Sequence, residues 1–232
     1  MSHILTASVV AIGLSMGAAQ AAVIDFGTNF GIGLSEGDNV TTFDFGAGLT
    51  GSVSVVNGVG NGSSVGEARI IDTVNGASAD PDLQGPFTNT ADGNDIRAFG
   101  NALIVQERAG LASGNADDER RGGKITFSFD QAIDLISLIY LDGEEALTVT
   151  APGLTDPLGG IAAGIGGDNL FTELVFAGPN NTGLTGFSVT LDGSGALGGF
   201  EAQLSAVPLP AALPMLLLGA GAFAAFGRRR SS

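Results

Sequence analysis

Short stretches of alternating apolar and polar side chains, broken repeatedly by Asn-Gly or Asp-Gly, leave this chain few folds to choose from. "VTTFDFG" (40–46), "GSVSVV" (51–56), "GKITFSF" (123–129) and "LTGFSVTL" (184–191) each gather their apolar side chains on one face of a strand. "EARIIDT" (67–73), "NALIVQE" (101–107), "LISLIYLD" (135–142), "ALTVTA" (146–151), "FTELVFA" (171–177) and "GFEAQL" (199–204) read as further strands. The dipeptides at 57–58, 61–62, 75–76, 92–93, 142–143 and 192–193 accept the positive φ angles of tight hairpin turns. Phe43 and Phe45, like Phe127 and Phe129, stand two apart and so share one face of a strand. About ten short strands of this kind predict an all-β domain, an antiparallel β-sandwich with a jelly roll as its candidate topology. The glycine-rich stretches 57–64 and 152–168 are predicted loops, and no helix is predicted between the two ends of the chain.

The ends differ in kind from the middle. Residues 4–17 are apolar, and Ala19-Gln20-Ala21 offers the small residues that signal peptidase requires, so 1–21 reads as a signal helix and the mature chain as starting near Ala22. At the other end, 207–227 carry no charge, and Arg228, Arg229 and Arg230 follow. Pro208, Pro210 and Pro214 confine the uninterrupted helical part to 215–227, about 20 Å long against a hydrocarbon core of ~30 Å. The predicted transmembrane helix is therefore a marginal anchor, its arginines held on the cytoplasmic side. Before it lies an extended, proline-stiffened motif of the kind a processing enzyme grips as a strand.

That motif, Val207-Pro208-Leu209-Pro210-Ala211, followed by an apolar helix and an arginine cluster, resembles the VPLPA variant of the PEP-CTERM sorting signals of Gram-negative bacteria. The resemblance implies recognition by a membrane-embedded exosortase, processing near the motif, and passage to the cell surface or extracellular matrix. The chain then divides into a leader (1–21), a secreted domain (22–205) and a sorting signal (206–232).

Composition narrows what the middle can do. All 24 acidic residues lie there against six basic ones, Arg69, Arg97, Arg108, Arg120, Arg121 and Lys124, a net charge of −18. Such a surface repels nucleic acid and anionic bilayers and attracts cations. There is no cysteine, and the single histidine, His3, leaves with the leader. A mature chain without His or Cys builds no Ser–His–Asp triad, no Cys–His dyad and no thiolate or imidazole metal site. Gly33-Leu34-Ser35-Glu36-Gly37 matches the nucleophile-elbow pattern, but no base and no helix signal accompany it. With no tryptophan and one tyrosine, Tyr140, a sugar-processing cleft lined by stacked rings is poorly provided for.

The remaining chemistry belongs to the carboxylates. Asp72 closes a strand, Asp80 and Asp82 flank Pro81 in the following loop, and Glu107 closes another strand. Asp117 and Asp118 lie in the loop after that, and Asp142, Glu144 and Glu145 sit at the next strand end. Strand ends gather at two rims of a sandwich, where clustered carboxylates repel each other unless a cation joins them. Calcium, which takes six to eight oxygens, is the candidate cofactor. The run from "RIIDTVNG" through "ADPDLQGP", "GNALIVQE" and "ADDERRGGKITFSF" to "ISLIYLD" (69–142) also resembles the ectodomain of a set of secreted PEP-CTERM-type proteins. That resemblance implies surface placement and a common β fold, and marks Asp72, Asp80, Asp82, Glu107, Asp117 and Asp118 as candidate ligands; it implies no activity. The expected protein is thus an exported, non-catalytic binding or structural component of the envelope or matrix. Its expected partners are signal peptidase, an exosortase-like enzyme, the inner membrane in transit, and extracellular polysaccharide or surface proteins. The alternatives are a calcium-dependent carbohydrate-binding module and a carboxylate-only polysaccharide hydrolase.

Overall fold

The computed structural model describes residues 21–26, 34–46, 48–58, 65–74, 81–107, 116, 118 and 120–206. The sorting signal with Val207–Ala211 and Arg228–Arg230, nearly all of the leader, Asp80 and Asp117 lie outside them. Fourteen strands follow one another among the described residues. The first seven are β1 (Ala21–Asp25), β2 (Thr42–Asp44), β3 (Thr50–Asn57), β4 (Val65–Gly66), β5 (Ala68–Asp72), β6 (Phe87–Asn89) and β7 (Ile96–Arg97). The rest are β8 (Asn101–Val105), β9 (Gly123–Leu141), β10 (Leu147–Thr150), β11 (Gly159–Ile161), β12 (Leu170–Val175), β13 (Leu184–Leu191) and β14 (Ala196–Leu204). One 3-10 turn, Pro179–Asn181, is the only helical piece among them, and no described helix is long and apolar enough to cross a membrane.

The expected sandwich is there, with a different strand count and one exception to antiparallel order. Residues 123–129 and 135–142, expected as two strands, are one 19-residue strand, β9. The linking residues Asp130-Gln131-Ala132 hold neither glycine nor proline, so nothing reverses the chain, and it bends through a bulge instead. Its first half pairs with β3 and β13; β10 and β11 extend that sheet on one side, and β2 and β4 lie along β3 on the other. The second half of β9 pairs with β14 and β12. Beyond β14 come β1 and β8, then β5; beyond β12 come β6 and β7. Only β6 and β12 run parallel. The predicted loop 152–168 contains β11, a Gly-Gly-Ile edge strand with too little pattern to show in sequence.

The two sheets close face to face over phenylalanine. Phe200 on β14 meets Phe127 and Phe187 at 5.2 Å each and Phe45 at 5.8 Å, and Phe43 stacks on Phe45 at 4.6 Å. The shared faces predicted for 43/45 and 127/129 are therefore the core faces. A second, smaller core lies on the far side of the β14 sheet, where Leu83, Phe87 and Phe99 cover Ile71, Ile104, Leu141 and Phe171. This explains "ARIID" and "NALIV": strands buried on both faces read as unbroken apolar runs. At the predicted Asp142-Gly143 turn, Asp142 has φ 53°, and a Cβ on Gly143 would fall 1.9 Å from the Tyr140 ring.

Candidate functional site

On the outer face of the β14 sheet, three strands lay side chains against one wall. Leu174, Leu138 and Phe200 face the core, so alternation turns Glu173 of β12, Ser137 and Ile139 of β9, and Gly199 and Glu201 of β14 outward. Register places Glu173, Ile139 and Gly199 in one row and Val175, Ser137 and Glu201 in the next. The wall is Arg97-Ala98-Phe99, and with it Glu173, Ser137, Ile139, Gly199 and Glu201 line a cleft of about 370 Å³, within the size range of small-ligand sites. Glycine keeps the floor low: a Cβ on Gly198 would come within 3.0 Å of Ile139 and 3.2 Å of Phe99.

Arg97 organises the rim. Its Nε donates to Asp95 Oδ1 at 3.0 Å and its Nη2 to Asp95 Oδ2 at 2.7 Å, a two-pronged clamp. Nη1 lies 3.8 Å from Glu173 Oε2, and the guanidinium carbon sits 4.9 Å from the centre of the Phe171 ring. The hydrogen bond from Arg97 holds the Asp95 carboxyl below the usual carboxylate range, and the same bond raises the guanidinium. The cleft thus presents a flat guanidinium held by Asp95, an apolar floor at Ile139 beside the Phe99 wall, and the polar groups of Ser137, Glu173 and Glu201. With Asp95 counted, three carboxylates stand against one cation.

The described candidate calcium ligands, Asp72, Asp82, Glu107 and Asp118, do not form one group; Asp80 and Asp117 lie outside the described residues. Asp72 ends β5; its Oδ1 accepts from Val74 N at 2.8 Å, and its own N–H donates to Glu36 Oε2. Burial pushes the Glu36 carboxyl up, against the lowering effect of that N–H. Glu107 follows β8 at the opposite end of the β5–β8 pair, because Asp72 pairs with Asn101 and Ala68 with Val105. Asp82 is exposed. Asp118 is buried, and its Oδ2 accepts from Ser194 Oγ at 2.7 Å and from the Gly195 N–H, closing the turn before β14. Among the described residues no group of three or more acidic side chains is placed to hold a metal ion. Asp118 instead joins Asp142, Glu145 and Asp192 around Tyr140, whose hydroxyl donates to Ser194 O at 3.0 Å. Burial, reinforced by those four carboxylates, pushes the Tyr140 hydroxyl well above its ordinary value. Ser35, of the nucleophile-elbow pattern, sits beside a turn where its N–H donates to Asp38 Oδ2 at 2.7 Å.

The sequence reading missed Arg97, Ser137, Glu173 and Glu201 as a group. The available signals were the outward parity of Glu173 and the paired glycines ahead of Phe200. No protein-family model matches the chain, and no curated protein matches it. Among solved structures it is similar to a carbohydrate binding module (CBM6cm-2) from Cellvibrio mixtus lichenase 5A in complex with cellotriose. The match is 14% identical, covers 59% of this chain and 97% of that one, and has a TM-score of 0.26. A likeness that loose carries no argument about this chain.

Proposed function

We propose that this is an exported, surface-sorted protein whose β-sandwich binds extracellular glycan in the Arg97 cleft and performs no chemistry on it. The observation that carries the reading is the clamped guanidinium. Held by Asp95 and lying over Phe171, it is a rigid planar group beside an apolar floor, with hydroxyl and carboxylate acceptors within the same cleft. A sugar ring has an apolar face and a polar edge, and a site with both, already ordered, binds it at low entropic cost. The leader and the Val207–Ala211 motif supply export and sorting in this reading, with an exosortase-like enzyme acting on the tail. Calcium belongs to it through the acidic loops that hold Asp80 and Asp117.

A glycan array probed with the exported protein tests the cleft. Binding is expected, and Arg97→Ala is expected to abolish it without changing the melting curve; full affinity in that variant overturns the assignment. A second reading, hydrolysis by two carboxylates, rests on Glu173 and Glu201 sharing the cleft. Release of reducing ends from a polysaccharide panel, lost in both Glu173→Gln and Glu201→Gln, would establish it in place of binding.

A further inference from the structure

The cleft holds acceptors that its own residues leave unused. Arg97 commits Nε and Nη2 to Asp95 on the rim, and its Nη1 stays 3.8 Å from Glu173 Oε2. The far side of the floor has no cation. There Glu201 of β14 stands directly opposite Ser137 of β9, which puts their Cβ atoms roughly 5 Å apart. Ser137 lines the cleft and is 6% exposed, yet its hydroxyl makes no hydrogen bond among the described residues. The half-buried Glu201 carboxylate likewise has no hydrogen bond or ion pair to a described residue. Apolar surface flanks this pair. Ile139 lies two residues from Ser137 on the same face of β9, and Val175, 65% exposed, pairs with Ser137 from β12.

We propose that the glycan of this cleft is an amino sugar with a free, protonated amine, seated against Ser137 and Glu201; this rests on the function proposed above. An ammonium group is three donors and a positive charge with no acceptor, and the pair offers it a hydroxyl and a carboxylate side by side. Other ligands fit less well. An acidic sugar would set its carboxylate against Glu173 and Glu201, while the charge of Arg97 is already matched by Asp95. A neutral sugar would cover the Glu201 carboxylate and supply no countercharge, which costs desolvation energy. A bare calcium ion takes six to eight oxygens, and among the described residues no group of three or more acidic side chains is placed to hold one. A lysine side chain brings the same ammonium on a flexible stem, which loses more rotamer freedom than a ring does. A ring also lays an apolar face on Ile139 or Val175 while its amine reaches the pair.

Isothermal titration calorimetry of the full-length exported protein tests this with four probes: a β-1,4-glucosamine trimer, its fully N-acetylated form, the matching glucose trimer, and trilysine. The glucosamine trimer is expected to bind about tenfold more tightly than each of the others. Glu201→Gln, which keeps the shape and removes the charge, is expected to erase that preference; Ser137→Ala is expected to reduce it. Asp156→Asn makes the same change of charge on an exposed loop outside the cleft lining and is expected to alter nothing, which separates the pair from the general attraction of an acidic domain. Unaltered glucosamine binding in Glu201→Gln overturns the proposal. Trilysine binding as tightly, with the same dependence on Glu201, overturns it in favour of a basic peptide. An uncharged trimer binding as tightly as the amine, and lost in Arg97→Ala, overturns the amine and leaves the glycan cleft standing; an array with no hit that depends on Arg97 removes both. Should Glu201→Gln melt early, Ser137→Ala carries the comparison.

Discussion

Raising the pH above 10 should destabilise this protein through one residue, Tyr140. Its hydroxyl is buried, donates to Ser194 O at 3.0 Å, and faces the charges of Glu145, Asp118, Asp142 and Asp192. Burial and those charges hold its folded value above that of an unfolded tyrosine, ~10. The resulting stability is whole below about pH 10 and falls by roughly 1.4 kcal/mol per pH unit above it, because the unfolded chain releases the proton and the folded one keeps it. The chain has one tyrosine and no tryptophan, so tyrosinate absorbance near 295 nm reports this side chain alone. The absorbance is expected to rise together with loss of the β circular-dichroism signal. Tyr140→Phe gives up a hydrogen bond worth about 1 kcal/mol at neutral pH but escapes the linkage. Its urea stability should therefore lie below that of the parent at pH 8 and above it beyond about pH 11. Tyrosinate appearing with a midpoint near 10 while the chain stays folded would refute the burial of Tyr140 and the carboxylates placed around it.

Phe200→Ala removes the ring at the centre of the aromatic core and is expected to cost about 3–5 kcal/mol, read as a shift of the urea midpoint. Asp134 is held below the usual carboxylate range: partial burial works against its charge, but the Ser205 hydroxyl, the Gly183 N–H and the Gln203 amide prevail. Its contribution is present above about pH 4 and lost as the pH falls through the depressed value. Asp134→Ala should therefore destabilise at pH 7 and match the parent near pH 2 in urea titrations. Replacing Pro208 and Pro210 by alanine should leave the tail uncut and the protein with the membrane fraction, measured by the mass of the chain recovered from that fraction. Calcium at ~100 times its dissociation constant should raise the melting temperature by about 5–11 °C, and Asp80→Asn or Asp117→Asn should abolish the rise.

The strands that alternate over four or more residues were legible because half-burial writes a period of two into the sequence. β13 has the span expected of it, 184–191. Those that escaped are short or lack the pattern. β4 and β7 are two residues long, β11 is Gly-Gly-Ile, and β1 begins within the predicted leader. Short strands mattered for the site, since β7 delivers Arg97. Nor could spacing along the chain reveal that Glu173, Ile139 and Gly199 form one row; that depends on which strands pair. That the four described candidate ligands form no single group has a more elementary reason. Asp72 ends one strand and Glu107 follows another, and the two strands are antiparallel neighbours, so those ends lie at opposite rims. Strand order, once supplied, separates residues that a common position at strand ends seemed to unite.

One residue does most to decide what the cleft contains. Along β9 the core receives Ile133 and Leu135, then Leu138 and Tyr140. Inward parity changes between the two pairs, because β14 pairs Ala202 with Leu135 and Glu201 with Ser137, leaving Ile136 as an extra residue. Strict alternation from Leu135 would turn Ser137 and Ile139 into the core and Tyr140 out to solvent. The bulge inverts this. It sends Ser137 and Ile139 to the cleft and carries the Tyr140 hydroxyl to Ser194, within the field of four carboxylates. Phe176 N donates to Ile136 O at 2.8 Å, so the irregular residue is tied to the end of β12, the strand that brings Glu173. The floor of the cleft and the suppressed ionisation of the lone tyrosine are thus two consequences of one inserted residue. Deleting Ile136 is expected to lose both together, and a variant that kept either would show that the parity of β9 is set elsewhere.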